Sequence, residues 1–154
     1  MCTTVLCNQI CFILFGLLLL FSTCKADPRA RSEVGLVVNI AIEQAAVVGI
    51  DYKRALAEAS AGNAAALGEI FKATPYMDGG GATFNSSRLK ELLDLFGDRR
   101  FSQILARQSK KIREAVTGAL DFYFDVNGQH GNWSREYPRT FRLGSHRSVE
   151  RLRG

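Results

Sequence analysis

Asn63-Ala-Ala-Ala-Leu-Gly-Glu-Ile-Phe-Lys-Ala-Thr74, preceded by Gly62 and followed by Pro75, decides how the chain folds. Ala66, Leu67, Ile70 and Phe71 recur at the spacing that places them on one face of a helix. Asn63 carries a side-chain oxygen suited to the orphan amides of a first helical turn. Pro75 lacks an amide donor and restricts Thr74 before it, so the helix ends there. On the other side, Gly62 closes a helix over residues 52–61. Two helices joined by Gly62-Asn63 make a tight αα-hairpin.

Working towards the N-terminus, Gly49-Ile50-Asp51 reads as a break, with Gly49 ending one helix and Asp51 capping the next. The segment 33–48 is rich in Val and Ile, which makes a strand a rival. The absence of a turn signal, with Glu43-Gln44-Ala45-Ala46 inside it, favours a helix capped by Ser32. Between Leu36 and Val48 only Asn39, Glu43 and Gln44 are polar. Such a helix is expected to be the central, buried one.

Towards the C-terminus, residues 76–85 read as a loop containing Gly79-Gly80-Gly81. Ser87 caps a helix over 88–96 with Leu89, Leu92, Leu93 and Phe96 on one face. Gly97-Asp98 repeats the logic of Gly62-Asn63 at a distance of 35 positions, within the period range of helical repeats. Then come Phe101, Ile104 and Leu105, a polar interruption at Gln108-Ser109, and Ile112, Ala115, Val116, Ala119, Leu120 and Tyr123. Phe101-Ser102-Gln103-Ile104-Leu105-Ala106, the polar turn, and Ile112-Arg113-Glu114-Ala115-Val116 with Ala119-Leu120 resemble one HEAT-like repeat unit. Gly128 terminates the last helix. The expectation is an all-α domain over 33–126, five or six short helices stacked as αα-hairpins in a HEAT-like or orthogonal bundle. Leu36, Val37, Ile40, Leu67, Ile70, Phe71, Leu92, Leu93, Phe96, Ile104, Leu105, Val116 and Leu120 are its expected core. Residues 127–154, with scattered aromatics and no sustained period, read as a disordered or loosely docked, Arg-rich tail.

The 154-residue chain has a net charge of +5, placed unevenly. Residues 33–126 hold eleven Lys or Arg against twelve Asp or Glu, whereas 127–154 hold six Arg against two Glu. Attraction to anionic surfaces would act through the tail. The four cysteines, Cys2, Cys7, Cys11 and Cys24, all precede the domain, so the domain forms no disulfide within itself and no thiolate zinc site.

All four lie in or beside the apolar run from Ile10 to Phe21, which has the composition of the hydrophobic region of an export signal. As a helix it is about 18 Å long against a hydrocarbon core of about 30 Å, which disfavours a simple spanning anchor. Leu20-Phe21-Ser22-Thr23-Cys24 resembles the lipobox of bacterial lipoproteins, and that resemblance implies a lipid on Cys24 as the new N-terminus. Cleavage after Ala26, in Cys24-Lys25-Ala26, is the rival, with an uncleaved anchor the third reading. Residues 1–26 are thus the export signal and 27–32 a short polar tether.

The residues offer little catalytic chemistry. The Gly79–Gly81 run follows a helix stop and does not open directly onto a helix, so it reads as a connector and not a phosphate cradle. His130 and His146 lie in the tail, and no metal or cofactor is expected. Glu91 with Asp94, and Asp121 with Asp125, read as exposed helix charges. Asn85-Ser86-Ser87 and Asn132-Trp133-Ser134 fit the N-glycosylation pattern, relevant only in a host that glycosylates. Arg99, Arg100, Arg107, Lys110, Lys111 and Arg113 form a basic cluster that could serve a partner or an anion.

These features lead to an exported, membrane-tethered, non-enzymatic helical module of the cell envelope that holds a protein partner. It would be soluble, secreted or periplasmic, if cleaved after Ala26. Two other classes stay open. A hydrolase would use Asp78 in a concave pocket beside a second carboxylate of raised pKa. An anionic-surface binder would act through the tail arginines and aromatics, on lipid or an envelope polymer and not on nucleic acid, which an exported protein rarely meets.

Overall fold

The structure is a computed structural model that describes residues 28–129 and 132–144. The compact unit whose packing follows begins at Glu33. All regular structure among the described residues is helical: α1 (Pro28–Ala46), α2 (Tyr52–Ser60), α3 (Ala64–Ala73), a 3-10 turn (Thr74–Tyr76), α4 (Gly79–Ala106), α5 (Lys110–Val126), α6 (Trp133–Glu136) and α7 (Pro138–Gly144). The protein is an all-α domain: five α-helices and the 3-10 turn fall up to Val126, where five or six helices were expected, and two further short helices among the described residues lie beyond it.

The predicted hairpin is present. Asn63 accepts from the amides of Ala65 and Ala66 at 2.9 and 3.4 Å, while Gly62 takes φ +89° and lets the Asn63 amide reach back to the Glu58 carbonyl at 3.1 Å. A side chain at Gly62 would strain that left-handed turn. Gly49 and Gly128 close α1 and α5 in the same way. Asp51 caps α2 through the Arg54 amide at 3.0 Å, and Ser109 caps α5 through the Ile112 amide at 3.4 Å.

The core sits where α2 and α3 meet α4 and α5. Phe71 of α3 and Phe101 of α4 pack edge to face at 4.8 Å, and Leu67, Ile70, Leu89, Leu93, Leu105, Val116, Leu120 and Phe124 are fully buried around them. Of the expected core, Leu67, Ile70, Phe71, Leu92, Leu93, Phe96, Leu105, Val116 and Leu120 are buried, whereas Ile104 is half-buried.

Helix α1 departs from its reading. It begins at Pro28, so residues 28–32 of the expected tether are helical and Ser32 lies inside the helix. It is also not central. From residue 35 onward Ala41 and Ala45 are its fully buried residues, Val37 and Ile40 are half-buried, and Leu36 is 61% exposed. Apolar content around a helix reports what it could bury, whereas the centre is already filled by the aromatics and leucines of α3, α4 and α5.

The expected loop 76–85 is corrected too. Helix α4 starts at Gly79, and Gly79-Gly80-Gly81 form its first turn. The glycines serve close approach: a Cβ on Gly81 would stand 2.1 Å from Gln44 Oε1 and 3.2 Å from Ile40 Cγ2. Gln44 clasps this end, accepting from the Asp78 amide at 3.2 Å and donating to the Asp78 carboxylate. Asn85, read as a loop residue, is fully buried. It accepts from the Tyr52 hydroxyl at 2.8 Å and donates to Thr74 Oγ1 at 3.1 Å, and Thr74 donates to the Ile70 carbonyl. This satisfied network ties α2, α3 and α4 together, and its burial removes Asn85-Ser86-Ser87 as a glycan acceptor in the folded chain.

The predicted hinge at Gly97 is a kink inside α4, with φ +71° and ψ 155°. Asp98 does not act as Asn63 does. Its two carboxylate oxygens accept from the amides of Arg139 and Thr140 at 2.9 and 2.8 Å, in the first turn of α7.

Of the tail expected to be disordered or loosely docked, residues 132–144 are therefore a docked strap. Trp133 is 2% exposed, stacks on Phe124 at 5.5 Å and meets Phe141 edge to face at 4.9 Å. Tyr137 donates to Asp94, which also pairs with Lys90 at 2.7 Å, while the Lys90 ammonium lies over the Tyr137 and Phe124 rings. Sparse aromatics without helical period carry no burial signal in sequence, because each acts as a single anchor.

Candidate functional site

An open groove of about 440 Å³ lies where five separate parts of the chain converge. The α1–α2 turn supplies Val48, Gly49 and Ile50, α2 supplies Arg54, and α3 supplies Glu69 and Lys72. Pro75 and Tyr76 come from the 3-10 turn, and Ser109, Lys111 and Ile112 from the start of α5. The volume lies in the range of small-ligand and side-chain pockets.

Each wall is positioned by a local device. The closure at Gly49, with the Ile50 amide on the Ala45 carbonyl at 3.1 Å, turns the chain sharply after α1. The Asp51 cap sets Arg54 in the first turn of α2, and the Ser109 cap sets Lys111 and Ile112 in the first turn of α5. Pro75 ends α3 and leaves Tyr76 47% exposed. Val48, Ile50, Pro75 and Ile112 are half-buried and form an apolar floor.

The rim is charged. Arg54 divides its guanidinium between Glu58 and Glu69, at 3.0 Å each, and is held above its ordinary pKa by the hydrogen bond to Glu58 and then by the charge of Glu69. The Lys111 ammonium rests 4.9 Å from the centre of the Tyr76 ring, a cation–π contact. Lys72 is exposed and makes no ion pair among the described residues. The lining holds Arg54, Lys72 and Lys111 against the one carboxylate of Glu69, so the rim carries excess positive charge.

Of the basic cluster read from the sequence, the structure brings only Lys111 to this groove. Arg100 donates to the Gly62 carbonyl at 3.1 Å and lies over the Phe96 ring, so it braces the hairpin turn. Arg113 donates to the Gln108 carbonyl at 2.6 Å, and Lys110 pairs loosely with Glu114 at 3.9 Å. Arg99 of α4 and Arg107, just past its end, are exposed. Asp78 does not line the groove. It is exposed and held by Gln44. Glu91 and Asp94 are paired with Arg88 and Lys90 at 2.7 Å each.

Of the tail arginines, Arg135 donates to Asn132 and Arg142 to the Pro138 carbonyl. Arg147, Arg151, Arg153, His130, His146 and the lipidation candidate Cys24 lie outside the described residues. No group of three or more His, Cys, Asp or Glu suited to a metal ion occurs among the described residues. Among them, no helix is long and apolar enough to cross a membrane.

Sequence reasoning missed Val48, Ile50, Arg54, Lys72 and Tyr76 as a set. Each sits beside a cap or a breaker that was legible, but nothing local says that these helix ends meet. Comparison of the chain with protein-family models, curated proteins and solved structures finds no match.

Proposed function

We propose that the chain is a non-enzymatic helical interaction module that holds a protein partner, exported and kept at a membrane surface by a lipid on Cys24. The groove is the observation that carries the partner-binding part. It joins an apolar floor to a charged rim, the composition of protein recognition surfaces, and helical-hairpin scaffolds use such concave faces to bind other chains. Its hydroxyl and its carboxylate are engaged in holding the fold: Ser109 Oγ accepts from the Ile112 amide, and Glu69 is paired with Arg54. That favours binding over reaction. Export and tethering rest on the apolar run Ile10–Phe21 and on Leu20–Cys24.

A photoreactive residue at Tyr76 of the full-length chain, in intact cells, is expected to give one discrete protein adduct. The same residue at Leu95, outside the groove, gives none. A chain that cross-links nothing from Tyr76 overturns the partner reading. Mass spectrometry of the mature N-terminus tests the tether separately: a lipid on Cys24 is expected, a free Asp27 replaces tethering by secretion, and an intact Met1 overturns signal cleavage.

A further inference from the structure

Resting on the reading of the groove as a protein-binding surface, we propose that its occupant is an acidic peptide segment that places an apolar side chain on the floor and carboxylates at Lys72 and Lys111. Charge complementarity selects this partner. Arg54 is shared between Glu58 and Glu69 and is already engaged, whereas Lys72 and Lys111 outnumber Glu69, the one carboxylate of the lining. Lys72 pairs with no carboxylate among the described residues, and the recorded partner of the Lys111 ammonium is the face of Tyr76. Both lysines can take a carboxylate without breaking an existing ion pair.

The floor excludes the simpler anions. A phosphate or a polyanion would satisfy the lysines but would leave Val48, Ile50, Pro75 and Ile112 against water. A basic segment would meet Lys72 and Lys111 head on. The chain's own C-terminal residues 145–154, with Arg147, Arg151 and Arg153 against Glu150, carry the same sign as the rim and are a poor occupant. A peptide with an apolar anchor flanked by Asp or Glu fits both parts, the floor supplying most of the affinity and the lysines the selectivity.

The test uses the full-length protein in neutral detergent and two pools of short peptides, each with two apolar positions, flanked in one pool by Asp or Glu and in the other by Asn or Gln. The acidic pool is expected to bind at least about tenfold more tightly. The Lys72→Glu/Lys111→Glu double variant is expected to reverse that preference in favour of a matched lysine-flanked pool. Both positions are exposed, and an unchanged melting curve verifies that the variant folds. Equal binding of the neutral pool overturns the acidic partner while leaving the groove as an interaction surface. No binding of either pool, with the Tyr76 adduct still formed, overturns the acidic peptide alone, and loss of both overturns the interaction reading as well. Competition by inorganic phosphate as effective as by the acidic pool reduces the groove to an anion site and overturns the proposal. A dimer in sedimentation that the double variant dissolves overturns it in favour of a second copy.

Discussion

Helix α1 and the strap 132–144 are opposites in composition and in burial. Helix α1 is dominated by Val, Ile, Leu and Ala beyond Leu36, yet Leu36 stands 61% exposed and Val47, just after its end, 82% exposed. The strap carries three arginines and few apolar residues, yet Trp133 and Thr140 are buried and Tyr137, Phe141 and Leu143 pack against the core. The difference shows that burial follows the fit of a few anchors and the pairing of backbone groups, and not the apolar fraction of a segment. In the strap, Asp98 satisfies two amides of a helix start and Phe124 offers a flat face for Trp133. In α1, tight packing falls to two alanines and to glycines on the facing helix.

Trp133→Ala is the largest lever on that comparison. Losing a buried indole that contacts two aromatic rings should cost about 4 kcal/mol and lower the melting temperature by about 15 °C. Trypsin should then cut at Arg135 and Arg139 in the still-folded domain. Next comes Asp98→Ala, which leaves the Arg139 and Thr140 amides without their carboxylate and should cost about 2 kcal/mol in chemical denaturation. If it costs nothing, the strap is held by aromatic packing alone.

A smaller effect follows from alkali. Burial, and then the hydrogen bond with Asp94, hold the Tyr137 hydroxyl above its ordinary pKa. Burial pulls Lys90 down, but its hydrogen bonds to Asp94 and Tyr137 outweigh that and leave it raised. Tyr52 is raised strongly by burial, with Arg88 opposing. A group with a raised folded pKa contributes stability that is full below its unfolded pKa and is lost as pH rises through the folded value. Stability should therefore fall above about pH 10, and Tyr137→Phe should flatten part of that fall in melts across the alkaline range. Least of all, Leu36→Ser or Val47→Ser should change stability by less than about 0.5 kcal/mol. A loss of several kcal/mol from either would mean that α1 is buried in solution and would collapse the contrast.

Much of the fold was legible because helix ends are local chemistry. Asn63, Asp51 and Ser109 cap where their side chains predict, and Gly49, Gly62 and Gly128 close helices where a left-handed residue is needed. The helix start at Gly79 was not legible, since three glycines disfavour a helix by intrinsic preference and only the approach of Gln44 and Ile40 makes their lack of a Cβ useful. Of the candidate site, Lys111 alone was singled out in advance. Arg100 and Arg113, in the same basic cluster, turned out to brace carbonyls.

By itself the sequence determined the helical class, the positions of caps and breaks, the apolar run Ile10–Phe21, and a domain free of cysteine, because each of these depends on residues within a turn or two of one another. Tertiary structure alone decided that α1 lies at the edge, that the strap docks, that Asn85 joins a buried network, and that Val48, Ile50, Lys72, Tyr76, Lys111 and Ile112 share one groove. Those outcomes depend on which helix ends meet across tens of residues, and that is set by the competition of all apolar faces for one core and not by any single stretch of chain.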